Sequence, residues 1–404
     1  MPSPEHDIDP AVADLKVCGA SSIGWDANTP PNETSDAQGN PAPLKRGFAV
    51  ADHTAPAERR YDNPEVQALR TYLQANNGLK GMDVASPDEP ARAARLLWRD
   101  GFVVVRDLLS PDQLEQMREG SARALRDILS VPGPDGRKYT TETGRLPHRY
   151  SYGTCSASRH LLHDSAWADM IDLPTTTPIL KALFGGPDYH VIGAGGDLCL
   201  PGAIEYQHLH RDVFDAGKVG AGRLAHARAL GIDIREDDDG HIDNGTLRLI
   251  IERTAPCITI NFFMSDLTWE NGPIRQIPGT HANQQNPPKQ EDEPAWMRLS
   301  TLVGGKAGWG VFRDTRAWHG ATPNLSREIR AMPNIEYAPP WSDDIMQTMP
   351  HEVWAGLSPH AQHVSRLAKA PAGVWPKGAG ILHPLAHERD KAAGGDLKRP
   401  GRGY

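Results

Sequence analysis

From position 189 to 337 the chain is cut into short apolar runs of strand length, each closed by turn residues, and this rhythm most limits the possible folds. The runs fall at 189–193, 197–200, 256–264, 274–277, 309–313 and 329–337. Between them stand Pro201-Gly202, Asn271-Gly272-Pro273 and Pro278-Gly279. The 39 glycines and 35 prolines suit such a chain better than a helical bundle. Upstream the period is helical. Asn63-Pro64 caps a run that Gly78 stops, and Ser86-Pro87 opens a second that ends at Gly101. After the strand-like 102–105, Ser110 and Gln113 form a capping box for a third helix, with Leu114, Met117, Leu125 and Ile128 on one face. A fourth is expected over 178–184. Helices followed by many short strands predict a mainly β fold with flanking helices, an antiparallel sandwich or barrel.

A length of 404 residues is read as an N-terminal extension over 1–84, a catalytic domain over 85–341 and a C-terminal tail over 342–404 that packs on it. The polar, turn-rich stretch 26–43 reads as a surface arm. Residues 214–253, with the acidic run 235–240, break the strand rhythm as an insertion, either a lid or a solvated loop. A net charge of −8 argues against a nucleic-acid partner. No stretch is long and apolar enough to span a membrane, and the first residues lack the basic-then-apolar pattern of a secretory signal. Four scattered cysteines without a Cys-x-x-Cys pair read as free thiols, so a cytoplasmic location is expected.

Chemistry concentrates in Gln207-His208-Leu209-His210-Arg211-Asp212. On a strand, His210 and Asp212 point to the same side and can reach one ion. His319, far downstream in Arg316-Ala317-Trp318-His319-Gly320, completes two imidazoles and a carboxylate. That set suits a ferrous ion with three positions left open. Arg330 shares a strand face with Met332, Asn334 and Glu336 and offers a fork for a distant carboxylate.

The segment from Glu270 to His281, Glu-Asn-Gly-Pro-Ile-Arg-Gln-Ile-Pro-Gly-Thr-His, resembles the Asn-Gly-Pro…Pro-Gly-Ser/Thr-His hallmark of the phytanoyl-CoA dioxygenase-like family. His210-Arg211-Asp212, then Trp318-His319-Gly320 with Pro323-Asn324 and Arg330, resemble its metal and cosubstrate residues, and the stretch 101–110 resembles its opening strand. The resemblance implies a double-stranded β-helix (jelly-roll, cupin-like) core. It also implies Fe(II), 2-oxoglutarate and O2, with succinate and CO2 as coproducts. His210, Asp212 and His319 would bind the metal, and Arg330 the 5-carboxylate. An aspartate at 212, where related halogenases have Gly or Ala, disfavours halogenation.

Further expectations concern the lining. Thr259 and Asn261 share one face of their strand and are candidates for contacting the cosubstrate; a neighbouring sheet or solvent is the alternative. Gln207 is a candidate for the same role or for a contact behind the ligands. His208, Arg275 and Trp318 are candidates for touching substrate, Trp318 also for packing beside the metal. Arg313 and Arg316 read as structural ion pairs or contacts to an anionic substrate, and His281 as a turn residue. The leading expectation is a hydroxylase of a small molecule. Desaturation, cyclisation or endoperoxidation at the same site stand beside it, as does a non-enzymatic cupin-like binding protein. Oligomeric state is not legible.

Overall fold

The computed structural model describes residues 12–21, 24–25, 34–35, 41–42, 60–76, 82–130, 148–152, 158–298, 302–342, 345, 347–374 and 380–381. Most of the expected arm at 26–43, Gly78 and Cys155 lie outside them. The helices begin where the caps place them. Asn63 accepts a hydrogen bond from the Glu65 N–H (2.8 Å) and opens α1, Pro64–Ala75. The second helix, α2 (Pro90–Asp100), starts later than Ser86-Pro87 suggests. The Ser110–Gln113 box closes in both directions (2.9 and 3.2 Å) at the head of α3, Pro111–Ser130. Met117, Leu125 and Ile128 are buried along its inner face. Each such side chain stabilises the fold by about 1.5–3 kcal/mol through apolar area removed from water. Helix α4 spans Thr177–Phe184 and ends on Gly185 in the left-handed region.

The strands of the two sheets that frame the site are β1 (Val84–Ala85), β2 (Phe102–Val105), β3 (Arg149–Tyr152), β4 (His190–Cys199), β5 (Ile258–Phe262), β6 (Ile274–Gln276), β7 (Leu302–Val303), β8 (Gly310–Asp314), β9 (His319–Ala321) and β10 (Arg330–Ala338). Seven form one sheet in the order β1-β2-β8-β5-β10-β4-β3. All its neighbours are antiparallel except β1 and β2. Three form a small sheet, β7-β6-β9. The runs expected at 189–193 and 197–200 are one strand, because Gly193-Ala194-Gly195-Gly196 continues the ladder instead of breaking it.

Alternation divides the large sheet into two faces. Val103, Val105, Ile258, Ile260, Phe262, Phe312, Ile335 and Tyr337 pack with α2, α3 and α4 in the main core. On the other face Phe102, Val104, Val311 and Met332 meet Ile274 and Val303 of the small sheet. Thr259, Asn261, Arg313, Asn334 and Glu336 share this inner face, since Thr259 is in register with Arg313 and Glu336, and Asn261 with Val311 and Asn334.

The insertion holds helices α5 (Ala221–Ala229) and α6 (Asn244–Arg253), with the acidic run exposed as a turn between them. It is bolted to the sheet ends by buried ion pairs. Arg223 pairs with Asp215 (2.7 Å), and Arg316 pairs with both Asp215 (2.7 Å) and Asp314 (2.6 Å). Of the tail, Gln347 bonds the β4 backbone through its N–H to Ile192 (3.1 Å) and its amide to Ala194 (2.6 Å).

Gly101 closes α2 at φ +81°, and its carbonyl accepts from the Asp314 N–H (2.9 Å). A Cβ there would lie 2.8 Å from His281 Nδ1 and 3.0 Å from the Ala317 Cβ. Gly101→Ala is expected to cost about 1–2 kcal/mol from the left-handed backbone alone, and more from the crowding. A loss of no more than about 2 kcal/mol would show that the His281 ring yields freely, and an unchanged denaturation midpoint would refute the account.

Candidate active site

The segment carrying His210 and Asp212 is not in a named strand, yet it runs as an extra antiparallel strip beside β9. His210 and His319 exchange both backbone hydrogen bonds (3.0 and 2.9 Å), a mutual pairing that sets the two residues directly opposite each other with their side chains on one face. Gln207 N–H bonds Ala321 O (3.0 Å) and Asp212 N–H bonds Thr315 O (2.8 Å) on either side. The two imidazole centroids are therefore 4.3 Å apart. His210 Nε2 lies 3.6 Å from Asp212 Oδ1, and His319 Nε2 lies 3.6 Å from Asp212 Oδ2. One donor atom from each of the three residues falls within 4.8 Å of the others.

Tautomers are set by the outer nitrogens. His210 Nδ1 sits 3.1 Å from His208 O, and His319 Nδ1 sits 3.0 Å from Ala317 O. A carbonyl only accepts, so each Nδ1 carries the proton and each Nε2 turns its lone pair inward. His319 is buried, and burial together with the Arg313 charge pushes its pKa well below the ordinary value. It is thus a neutral imidazole, the form that donates to a metal. His210 and Asp212 are half-buried, at the edge of the interior.

Behind the aspartate stands Arg313, buried, with Nη2 3.3 Å from Asp212 Oδ2 and Nε donating to Asn261 Oδ1 (3.0 Å). Arg330 is also buried. Its Nε donates to Gly272 O (3.0 Å) and its Nη1 to Asp197 O (3.2 Å). The Asn-Gly-Pro turn thus aims this arginine: Asn271 ties the loop through Asp266 O (2.7 Å), and Gly272, at φ +77°, leaves its carbonyl for the guanidinium. Buried polar atoms on the inner face keep unused hydrogen-bonding capacity among the described residues: Thr259 Oγ1, Asn261 Nδ2, Arg313 Nη1 and Asn334 Oδ1. Such groups are costly to bury without a partner, so this face suits a polar ligand.

Other expected contacts lie elsewhere. Arg275 is fully buried, its guanidinium on Glu293 (Nη2–Oε2 3.1 Å) and on Gln207 O (2.7 Å), so it braces a wall instead of meeting a substrate. Gln207 accepts the Ala321 N–H on its side-chain oxygen (3.1 Å), a contact that supports the backbone of β9. Trp318 packs with Leu209 and Ile277 and its backbone N–H donates to Thr280 Oγ1 (2.9 Å), while its buried indole N–H has no partner among the described residues. Arg316 is in the buried ion pairs, and His281 is buried under Gly101. His208 is exposed at the rim with its ring 5.6 Å from that of His210, and Phe214, 51% exposed, lies under Arg211 nearby in sequence. The reading of the sequence did not foresee Asp212 as the partner of Arg313, which lies on a distant segment, and placed Asn334 on the Arg330 face without seeing that strand register sets it against Asn261.

A family model described as "Phytanoyl-CoA dioxygenase (PhyH)" matches residues 97–332, more than half of the chain. The chain belongs to the PhyH family. It is a 2-oxoglutarate-dependent non-haem iron oxygenase, with Fe(II), 2-oxoglutarate and O2 as its cofactors and cosubstrates. Among solved structures this PhyH protein is similar to AviO1 from Streptomyces viridochromogenes Tue57 (21% identity, 63% of this chain and 96% of that one, TM-score 0.37). It is also similar to the epimerase SnoN in complex with Fe3+, alpha ketoglutarate and nogalamycin RO (15%, 63% and 84%, TM-score 0.42). HygX from Streptomyces hygroscopicus, with nickel, 2-oxoglutarate and hygromycin B bound, is a third (16%, 63% and 89%, TM-score 0.40). No helix among the described residues is long and apolar enough to cross a membrane.

Proposed function

We propose that this PhyH oxygenase hydroxylates a C–H bond of a small-molecule metabolite, with His210, Asp212 and His319 as metal ligands and residues 85–341, read as a double-stranded β-helix, as the catalytic domain. The convergence of those three donors on one point carries the reading. Two imidazoles and a carboxylate match the donor set for Fe(II), and the unspent polar atoms of Thr259, Asn261 and Asn334 match a polar cosubstrate beside it. Bound iron supplies the coupling of 2-oxoglutarate decarboxylation by O2 to substrate oxidation. The chain's own part is positioning. The carbonyls of His208 and Ala317 fix the imidazoles, and Arg330, held by Gly272 and Asp197, presents Nη2 to the far carboxylate. The substrate approaches from the exposed side, past His208 and Phe214.

The test is direct. The purified chain with Fe(II) should bind 2-oxoglutarate without oxygen and release succinate once oxygen is admitted, faster with the right substrate; a metal-filled chain that does neither refutes the reading. Arg330→Ala should keep its metal and lose about 2–5 kcal/mol of 2-oxoglutarate affinity, roughly 30-fold or more. Equal affinity in a calorimetric titration would remove Arg330 from the cosubstrate site.

A further inference from the structure

Asp212 has two carboxylate oxygens in different settings. Oδ1 lies 3.6 Å from His210 Nε2, whereas Oδ2 faces both His319 Nε2 (3.6 Å) and the Arg313 guanidinium (3.3 Å). Building on the ligand assignment above, we propose that Arg313 is a positioning residue that engages Asp212 Oδ2, so that the carboxylate gives the metal one oxygen only. The count of coordination positions makes this matter. Two imidazoles and one oxygen leave three of six positions, two for a chelating 2-oxo acid and one for O2. A second carboxylate oxygen on the ion would remove one of the three.

Arginine suits the task because its planar fork serves two partners at once. Nε is tied to Asn261 Oδ1 (3.0 Å) while Nη2 reaches the aspartate. Nε can only donate, which fixes the Asn261 amide with its oxygen toward Arg313. Asn261 and Arg313 are neighbours on the inner face of β5 and β8, and both are buried, so water does not compete strongly for the pair. The hydrogen bond is charge-assisted, the kind strong enough to retain one carboxylate oxygen while its twin binds elsewhere.

Removing Arg313 has a signature that simple loosening lacks. The aspartate gains freedom to bind with both oxygens, and a positive charge next to the ion disappears. Arg313→Gln should bind Co(II), used as a spectroscopic probe, no more weakly than the parent. Its Co(II) absorption spectrum should change, and metal-loaded protein should bind 2-oxoglutarate about 10–100-fold more weakly, the usual span for an outer partner of a ligand. Arg313→Lys, which keeps the charge without the fork, should fall between. Unchanged 2-oxoglutarate affinity overturns the proposal, and so does weaker metal binding with an unchanged spectrum, which marks a structural arginine. If Arg313→Gln does not fold, Asn261→Ala, which unties Nε, should move the Co(II) spectrum in the Arg313→Lys direction; no movement overturns the proposal. Failure of the ligand assignment looks different: the parent chain itself would not bind Co(II).

Discussion

His319→Ala is expected to lose metal binding and 2-oxoglutarate turnover together, while the fold persists. The imidazole contributes one of three donors, and its loss should exceed the roughly 10–100-fold that follows removal of an outer-shell partner. The backbone hydrogen bonds between His210 and His319 do not involve the side chain, so the ladder that positions His210 and Asp212 remains. Isothermal titration with Fe(II) or Co(II), alongside far-UV circular dichroism, separates the two effects. A variant that binds metal as tightly as the parent would remove His319 from the ligand set, and with it the argument for the whole centre.

The second large effect is on stability. Arg316→Ala is expected to cost about 3–5 kcal/mol, because it strands the Asp314 carboxylate and halves the compensation of Asp215 in the interior. Surface ion pairs rarely matter this much, but here both partners are buried. Urea denaturation measures it; a change within about 0.5 kcal/mol, typical of surface substitutions, would refute the account. Burial alone would raise the Asp215 carboxyl, yet the hydrogen bond from Arg223 and the charges of Arg316 and Arg223 bring it to about 2. A carboxylate held below its unfolded pKa contributes stability that is present above about pH 4 and fades as pH falls toward 2.

The helices α1 to α4 were legible because their ends are local chemistry, whereas α5 and α6 of the insertion were not foreseen. Asn63, Ser110 with Gln113, Gly101 and Gly185 are caps whose partners lie within a turn. The inner face of β5 was legible for a similar reason, as alternation alone separates Thr259 and Asn261 from Ile258 and Ile260. Three kinds of feature were not legible. The strand β4 looked broken at its glycines, yet a Cβ at Gly196 would lie 2.4 Å from the Tyr152 hydroxyl and 2.8 Å from Pro333 Cα, so glycine marks close approach there. Strands as short as β1 and β9 have too few residues to show a period and exist through their partners. Charged residues in strands gave no sign of their partners either. Arg275 looked like a substrate contact, but its Glu293 sits in a separate loop; Arg313 was expected in an ion pair or on an anionic substrate, and its partner is Asp212, on a segment outside the large sheet.

The reciprocal backbone bonds between His210 and His319 have a consequence for how the protein acquires its iron. In small zinc modules the ion gathers ligands from an unfolded chain, and folding waits for it. Here two backbone hydrogen bonds, which use neither side chain, hold the rings 4.3 Å apart. With His210, Asp212 and His319 as the proposed ligands, chelating the iron is expected to disarm the enzyme without dismantling it, so that turnover falls while circular dichroism stays unchanged.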